Sequence, residues 1–230
     1  MAKILSIETS TPVCSVALHE NGELVGVKEI ELPGAHSERL IGLVDELLQE
    51  SKIEGKHISA VAVSEGPGSY TGLRIGVSTA KGLCFAWGVP LIGVSTLAAL
   101  ARGAKNKMGA KSLVVSMLDA RRMEVYREIY NSDFLPISNL DSELIDENSF
   151  QSLLMDSEVI FIGDAVPKVK NVVLHDNAVF LDDGISAVQV GELAWTKYQK
   201  SDFEDLAYFV PNYLKEFKVL KSKKNPLLLS

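Results

Sequence analysis

The segment from Ile58 to Val94 limits what this chain can fold into more than any other. A β-branched run, Ile58 to Val63, enters a glycine-rich loop, Glu65 to Gly72. The long apolar stretch Leu73 to Trp87 follows, and after the Gly88-Val89-Pro90 break comes a second short run, Leu91 to Val94. Short apolar runs bounded by Gly and Pro read as strands, and the longer stretch reads as a helix. Strand, loop, helix, strand is the order that makes two parallel strands joined by a helical crossover. The first expectation is therefore an α/β fold.

The predicted helix is apolar almost all round, with Leu73, Ile75, Val77, Ala80, Leu83, Cys84, Phe85 and Trp87 distributed over its faces. Such a helix needs cover on every side, and one sheet covers only one face. The neighbour available in sequence is a second helix, predicted from Leu40, Leu43, Val44, Leu47 and Leu48 at helical spacing, with Ser37 and Glu38 in its first turn and Gly55 closing it. The remaining cover comes either from an intramolecular core or from another chain. The second reading makes the helix pair a partner surface built on Leu40, Leu43, Val44, Leu47, Tyr70, Leu73, Ile75 and Val77.

Upstream, Ile4 to Ile7, Cys14 to His19 and Leu24 to Leu32 read as strands, the last two joined through Asn21-Gly22, a strong hairpin signal. Downstream, Ser95-Thr96 caps a helix reaching about Ala101, and the Gly- and Lys-rich stretch from Gly103 to Lys111 marks a boundary between units 1–102 and 103–230. The second unit shows strands at Leu113 to Leu118 and Met123 to Tyr130, turning through Asp119-Ala120-Arg121. A strand at Val159 to Ile162 and a helix at Ala187 to Tyr198 complete it. Antiparallel strands, then helix and strand, occur in both units.

Composition removes several functional classes. With 230 residues, 47% of them hydrophobic, the chain can bury a sizeable core. Its net charge of −7 opposes binding of bare nucleic acid, which demands Lys and Arg to replace condensed counterions. The exception is the cluster Lys215, Lys218, Lys221, Lys223 and Lys224, which reads as a solvated tail or as a contact to RNA. The apolar stretch around Leu83 to Val94 is broken by Gly88 and Pro90, and falls short of the roughly 20 residues a membrane span needs. The first residues run straight into a strand, and Cys14 and Cys84 lack metal or redox spacing. Together these features predict a cytoplasmic chain with free buried thiols and no membrane association.

Two segments offer chemistry. Gly66-Pro67-Gly68-Ser69-Tyr70-Thr71-Gly72-Leu73-Arg74-Ile75-Gly76 lies between strand and helix, where backbone amides favour anions. It is no P-loop, because Thr71 stands where the second glycine belongs and no lysine follows. Nor is it a dinucleotide loop, whose third glycine would also fall on Thr71. Glu8-Thr9-Ser10-Thr11 ends the first strand with hydroxyls and amides that suit a phosphate. No catalytic triad or nucleophile elbow can be assembled. The helical partner of His36 four places on is Leu40, so no zinc pair forms; His19, His57 and His175 read as ordinary surface or capping residues. The residues predict neither a catalytic group nor a metal ligand.

Three segments together resemble the TsaB (YeaZ) family: Ile4 to Thr11 with Cys14-Ser15-Val16-Ala17-Leu18, then His36-Ser37-Glu38-Arg39-Leu40, then Gly66 to Gly76. Looser likeness continues in Asp119-Ala120-Arg121, Glu124-Val125-Tyr126, Gly163-Asp164 and Pro211-Asn212-Tyr213-Leu214. The resemblance implies an actin-like ATPase (ASKHA, ribonuclease H-like) fold of two similar subdomains, the last helix packing back on the first. It implies a non-catalytic scaffold subunit that works with a TsaD-type catalytic subunit and a TsaE-type ATPase. Their product is N6-threonylcarbamoyladenosine at position 37 of tRNAs reading codons that begin with A, from a donor made by a separate synthase. The partner surface would be the same two helices, which would also pair two copies when the partner is absent.

The departures from the catalytic relative follow the same line. TsaD carries two metal-binding histidines four apart, where this chain has His36 and Leu40. Actin-like ATPases end the first strand in aspartate, where this chain has Glu8, one methylene longer. The competing enzyme reading is an autonomous ATPase or small-molecule kinase, with ATP or ADP and magnesium at Glu8, Thr9, Ser10 and Thr11 and the phosphates held by Ser10, Thr11 and the Gly66 to Gly72 loop. A metallopeptidase reading fails for want of a ligand cluster.

Overall fold

The computed structural model describes residues 1–32 and 34–214. The lysine cluster beginning at Lys215 lies outside the described residues. The first half runs β1 (Lys3–Glu8), β2 (Cys14–Glu20), β3 (Glu23–Ile30), α1 (Ala35–Glu50), β4 (Ala60–Gly66), α2 (Tyr70–Trp87), β5 (Leu91–Ser95) and α3 (Thr96–Arg102). Its sheet has the order β3-β2-β1-β4-β5, with β1, β2 and β3 antiparallel and β1, β4 and β5 parallel. The crossover expected between Ile58 and Val94 is the parallel pair β4 and β5 joined by α2.

The second half repeats this plan in β6 (Leu113–Asp119), β7 (Glu124–Tyr130), β8 (Asp141–Leu144), α4 (Gln151–Asp156), β9 (Val159–Ile162), α5 (Val166–Val169), β10 (Ala178–Leu181) and α6 (Ala187–Gln199). Its order, β8-β7-β6-β9-β10, is the first order with the same antiparallel and parallel pairings. The two halves are topological copies.

Local chemistry sets the ends of the elements. Asn21 and Gly22 both have positive φ, 50° and 87°, as the tight hairpin turn requires, and a Cβ on Gly22 would lie 2.5 Å from the Trp195 ring. Helix α1 stops at Glu50, before Gly55. Lys52 takes the left-handed conformation and the Ile53 N–H returns to the Leu48 carbonyl, so a lysine closes the helix and Gly55 begins a short 3-10 turn instead. Ser69 caps α2 by accepting the Gly72 N–H, which starts that helix ahead of Leu73.

Packing gives five layers. Outside the first sheet, Leu40, Leu43, Val44 and Leu47 of α1 and Val77, Ala80 and Cys84 of α2 close over Leu5, Ile7, Val16 and Val61. Outside the second, Leu154 of α4 and Val166 and Val169 of α5 close over Val115, Met117 and Phe161. Between the sheets lies one shared core holding Ile4, Ala62 and Ile92, Leu97 and Leu100 of α3, Val114 and Ile160, and Val190 and Ala194 of α6. Within it α6 lies on the first sheet, and α3 reaches β6 and β7 of the second.

After α6 the chain returns as a strap along the first half. The Glu204 N–H donates to the Leu91 carbonyl at 2.9 Å, Lys81 Nζ donates to the carbonyls of Ala207 and Phe209, and the Asn212 N–H donates to the Glu65 carbonyl at 2.6 Å. This path delivers Tyr213 to the mouth of the cleft described next.

Candidate functional site

A cleft of about 1020 Å³ opens between the halves at the C-terminal ends of β1, β4 and β6. One wall carries Ser10, Thr11, His36 and the Pro67–Thr71 loop; the other carries Asp119, Arg121, Tyr126 and Asp164; Asn212 and Tyr213 of the strap close one side. This is the crevice at strand ends where open α/β sheets bind ligands.

Of the four residues expected at a nucleotide, Glu8, Thr9, Ser10 and Thr11, only Ser10 and Thr11 reach the cleft wall. Glu8 is fully buried, and its carboxylate is already surrounded: Oε1 accepts the Ser10 N–H and hydroxyl at 2.5 Å, and Oε2 accepts the Ser64 hydroxyl. Burial raises its pKa above the ordinary carboxylate value, against the lowering effect of those hydrogen bonds. Thr9 is also fully buried, its hydroxyl donating to the Gly72 carbonyl at 2.9 Å. A Cβ on Gly72 would lie 2.0 Å from the Thr9 carbonyl oxygen, one on Gly76 2.2 Å from Thr9 Oγ1, and one on Gly68 2.6 Å from Ser10. These glycines let α2 press against the β1–β2 turn.

On the facing wall, Asp119 is tied down as well. Burial opposes its charge, but the bond from Lys168 Nζ at 2.9 Å and the Arg121 N–H outweigh it and hold the carboxyl below the usual range. Asp164, raised mainly by burial, accepts the Asp119 N–H at 2.7 Å. Arg121 and Arg122 both sit at positive φ, 73° and 54°, a conformation uncommon for side chains of this size. A magnesium nucleotide of the actin-like type does not fit this arrangement, since the first-strand carboxylate is consumed inside the protein and Asp119 is paired to Lys168. The Thr11 hydroxyl is buried with no partner among the described residues, and Arg121 stands on the cleft wall.

The helix-pair residues fall into two groups. Leu40, Leu43, Val44, Leu47, Leu73 and Val77 are at most 4% exposed and belong to the chain's own core, which corrects their assignment as partner contacts. Their apolarity answers to the sheet beneath them. Ile75 is half-buried, and Tyr70 packs against Tyr213 at the cleft edge, the rings tilted by 37° with centroids 4.8 Å apart. The outer face of the two helices instead presents Ile41, 57% exposed, and Phe85, 84% exposed. A Cβ on Gly82 would meet nothing within 4 Å, and one on Gly42 only Arg39 Nε at 4.0 Å.

Histidine was misread at one position. His19 is 1% exposed, not on the surface, and neither ring nitrogen has a partner among the described residues. The signal available was the near-continuous apolar run before it, Cys14 to Leu18, which marks a strand covered on both faces.

Two copies of a five-stranded mixed sheet, with a cleft between them at the strand ends, define the class: an actin-like (ASKHA) α/β protein of two subdomains. The family model "TsaD: tRNA N6-adenosine threonylcarbamoyltransferase" matches residues 26–224. The tRNA threonylcarbamoyladenosine biosynthesis protein TsaB of Escherichia coli is 42% identical over 131 residues, 57% of this chain and 56% of that one, so the match spans a little over half of the relative. TsaB of Buchnera aphidicola from Acyrthosiphon pisum is 31% identical over 76% of this chain and 84% of its own. Among solved structures, YeaZ from Pseudomonas aeruginosa superposes with a TM-score of 0.81 at 27% identity, covering 93% of this chain and all of that one. The chain belongs to the TsaB (YeaZ) family.

Proposed function

We propose that this chain is a non-catalytic partner subunit of the assembly that attaches the threonylcarbamoyl group to N6 of adenosine 37 in tRNAs reading codons that begin with A. It acts in the cytoplasm, beside a TsaD-type catalytic subunit and a TsaE-type ATPase, and without a bound nucleotide. The observation that carries this reading is the state of Glu8. An acid at the metal position whose oxygens are taken by Ser10 and Ser64 cannot organise magnesium and water without dismantling the loop that holds it. A shared fold does not carry activity with it.

Partner binding is assigned to the outer faces of α1 and α2. Ile41, Phe85 and the partly exposed Ile75 supply apolar area, and Gly42 and Gly82 permit close approach of a partner helix. The buried Leu40, Leu43, Val44, Leu47, Leu73 and Val77 act from beneath, by fixing the two helices on the sheet. Without the partner, two copies pair through the same face. Contact with tRNA runs through the catalytic subunit or the lysines beyond Leu214.

The test is reconstitution of tRNA threonylcarbamoylation from catalytic subunit, TsaE-type ATPase and donor synthase, with this chain present, absent or alone. Modification that requires the chain, never arises from it alone, and is lost with Ile41→Glu/Phe85→Glu is the expected result. Modification by the chain alone, or indifference to its presence, overturns the reading.

A further inference from the structure

The strap that follows α6 is fastened by few groups. Leu206 and Phe209 pack on the core of the first half, while Tyr208 and Val210 are 83% and 69% exposed. The other fastenings are the hydrogen bonds to the Leu91 and Glu65 carbonyls and those from Lys81 Nζ. So lightly held a segment is sensitive to a single unfavourable charge.

Such a charge lies beneath it. An added Cβ on Gly93 of β5 would stand 2.5 Å from Glu65 Oε2, 3.0 Å from Glu204 Oε1 and 2.8 Å from the Phe209 ring. Glu65 comes from the end of β4 and Glu204 from the strap, so two carboxylates converge on one point of the contact. Lys197 Nζ of α6 donates to the Gly93 carbonyl at 2.9 Å and stands 3.4 Å from Asp202 and 3.6 Å from Glu204. One ammonium thus faces three carboxylates. The residues of β5 carry no charge, Lys81 of α2 is spent on strap carbonyls, and Asp205 accepts the N–H groups of Ala207 and Tyr208 within the strap. Among the described residues no hydrogen bond reaches the Glu65 carboxylate. Burial raises its pKa above the ordinary 4.5; Lys197 lowers it, and Glu204 and Asp202 raise it further.

We propose that the strap is a proton-linked latch: with Glu65 protonated, residues 204–213 stay seated on β4 and β5, and with Glu65 ionised its charge beside Glu204 loosens them and withdraws Tyr213 from Tyr70 at the cleft mouth. In the released strap Glu65 is solvated and returns to the ordinary carboxylate value, so the seated strap binds the proton more tightly. Seating is therefore strongest below about pH 4.5 and weakens as pH rises through the raised value. The latch rests on the fold and not on the role in tRNA modification.

The experiment follows the full-length chain by NMR from acid to neutral pH. It reads the hydrogen-exchange protection of the Glu204 and Asn212 amides, each relative to an unstructured peptide at the same pH, together with the 13C shift of the Glu65 carboxyl. Amides of β1 report global stability. Strap protection is expected to fall by about fivefold as pH rises, the size of one partly exposed charge interaction, with its midpoint on the Glu65 titration and β1 unmoved. Glu65→Gln keeps the shape without the charge and should hold the high protection at every pH. Glu204→Gln, at a partly exposed position, should bring the Glu65 midpoint down toward 4.5 and shrink the fall. Strap protection that stays constant through the Glu65 titration overturns the proposal. So does a Glu65→Gln chain that keeps the parent's pH dependence and, should that variant not fold, an unmoved midpoint in Glu204→Gln.

Discussion

Gly72 and Gly76 sit where a reader of the sequence sees a phosphate cradle, and the structure gives them a mechanical duty. The atom facing the missing Cβ of Gly72 is the Thr9 backbone oxygen, 2.0 Å away, which cannot rotate aside; that facing Gly76 is the Thr9 hydroxyl, already engaged with the Gly72 carbonyl. Gly72→Ala is therefore expected to cost about 1–3 kcal/mol or more, and Gly76→Ala somewhat less. Urea unfolding checks this as a lowered midpoint at unchanged slope; an unshifted midpoint for Gly72→Ala would mean the β1–β2 turn yields freely. His19 supplies a pH dependence. Burial holds its imidazole below the ordinary 6.5, with Glu23 acting weakly the other way, so the folded chain keeps it neutral while the unfolded chain takes up a proton. The unfolded state then binds more protons as pH falls. The stability His19 contributes is complete above about pH 6.5 and is lost on acidification through the lowered value. His19→Leu should flatten this part of the midpoint-versus-pH curve relative to the parent chain, and parallel curves would count against it.

At the scale of elements, α1 and α2 show what apolar spacing does and does not carry. Spacing located both helices, and the Leu40 to Leu48 stripe marks the buried side of α1. Which apolar residues meet the chain's own sheet and which meet another chain is a matter of rotation about the helix axis, and a helix apolar on all faces leaves that rotation undetermined. Hence Val77 and Phe85 of α2 look alike in sequence and differ in place, 4% and 84% exposed, whereas on α1 the stripe already separates Leu43, 4% exposed, from Ile41, 57% exposed. Leu43→Ala is expected to destabilise the chain by about 2–5 kcal/mol. Ile41→Ala should stay within about 0.5 kcal/mol while weakening capture of the catalytic subunit, a contrast read from melting and pull-down on the same samples. Equal loss of stability for both would move Ile41 into the core. The elements that sequence reading missed, β8, α4, α5 and β10, are four to six residues long, too short for a period to declare itself. The strap was equally invisible, because its hold on β5 and α2 comes largely from backbone groups and from Lys81 Nζ.

On the scale of the molecule, the duplication was partly legible, since both halves open with antiparallel strands and close with a helix. Where those closing helices go was not legible in spacing, because it depends on packing between segments far apart in sequence; only the family resemblance implied that the last helix returns to the first half. Helix α6 lies over β1, β2 and β5, and α3 reaches β6 and β7, so each half's last helix covers the other half's sheet. The consequence is energetic. Without α6, the inner faces of Ile4, Ala62 and Ile92 would lose Val190 and Ala194 as cover, and the β1–β2 hairpin would lose the α6 backbone seated on Ser15, whose hydroxyl accepts the Ala187 N–H at 3.0 Å. An exposed sheet face of that composition is an aggregation surface rather than a domain surface. A fragment of residues 1–112 is therefore expected not to reach a native fold alone, although it holds a complete five-stranded sheet. The full chain should unfold in one transition, with tryptophan fluorescence from Trp87 and Trp195 coinciding with far-ultraviolet circular dichroism. Adding residues 113–230 in trans to the unfolded fragment should restore the dispersed NMR spectrum of β1 and β2. A fragment 1–112 that is monomeric and well dispersed by itself would show that the first half has its own sufficient core and that the exchanged helices only join two finished domains.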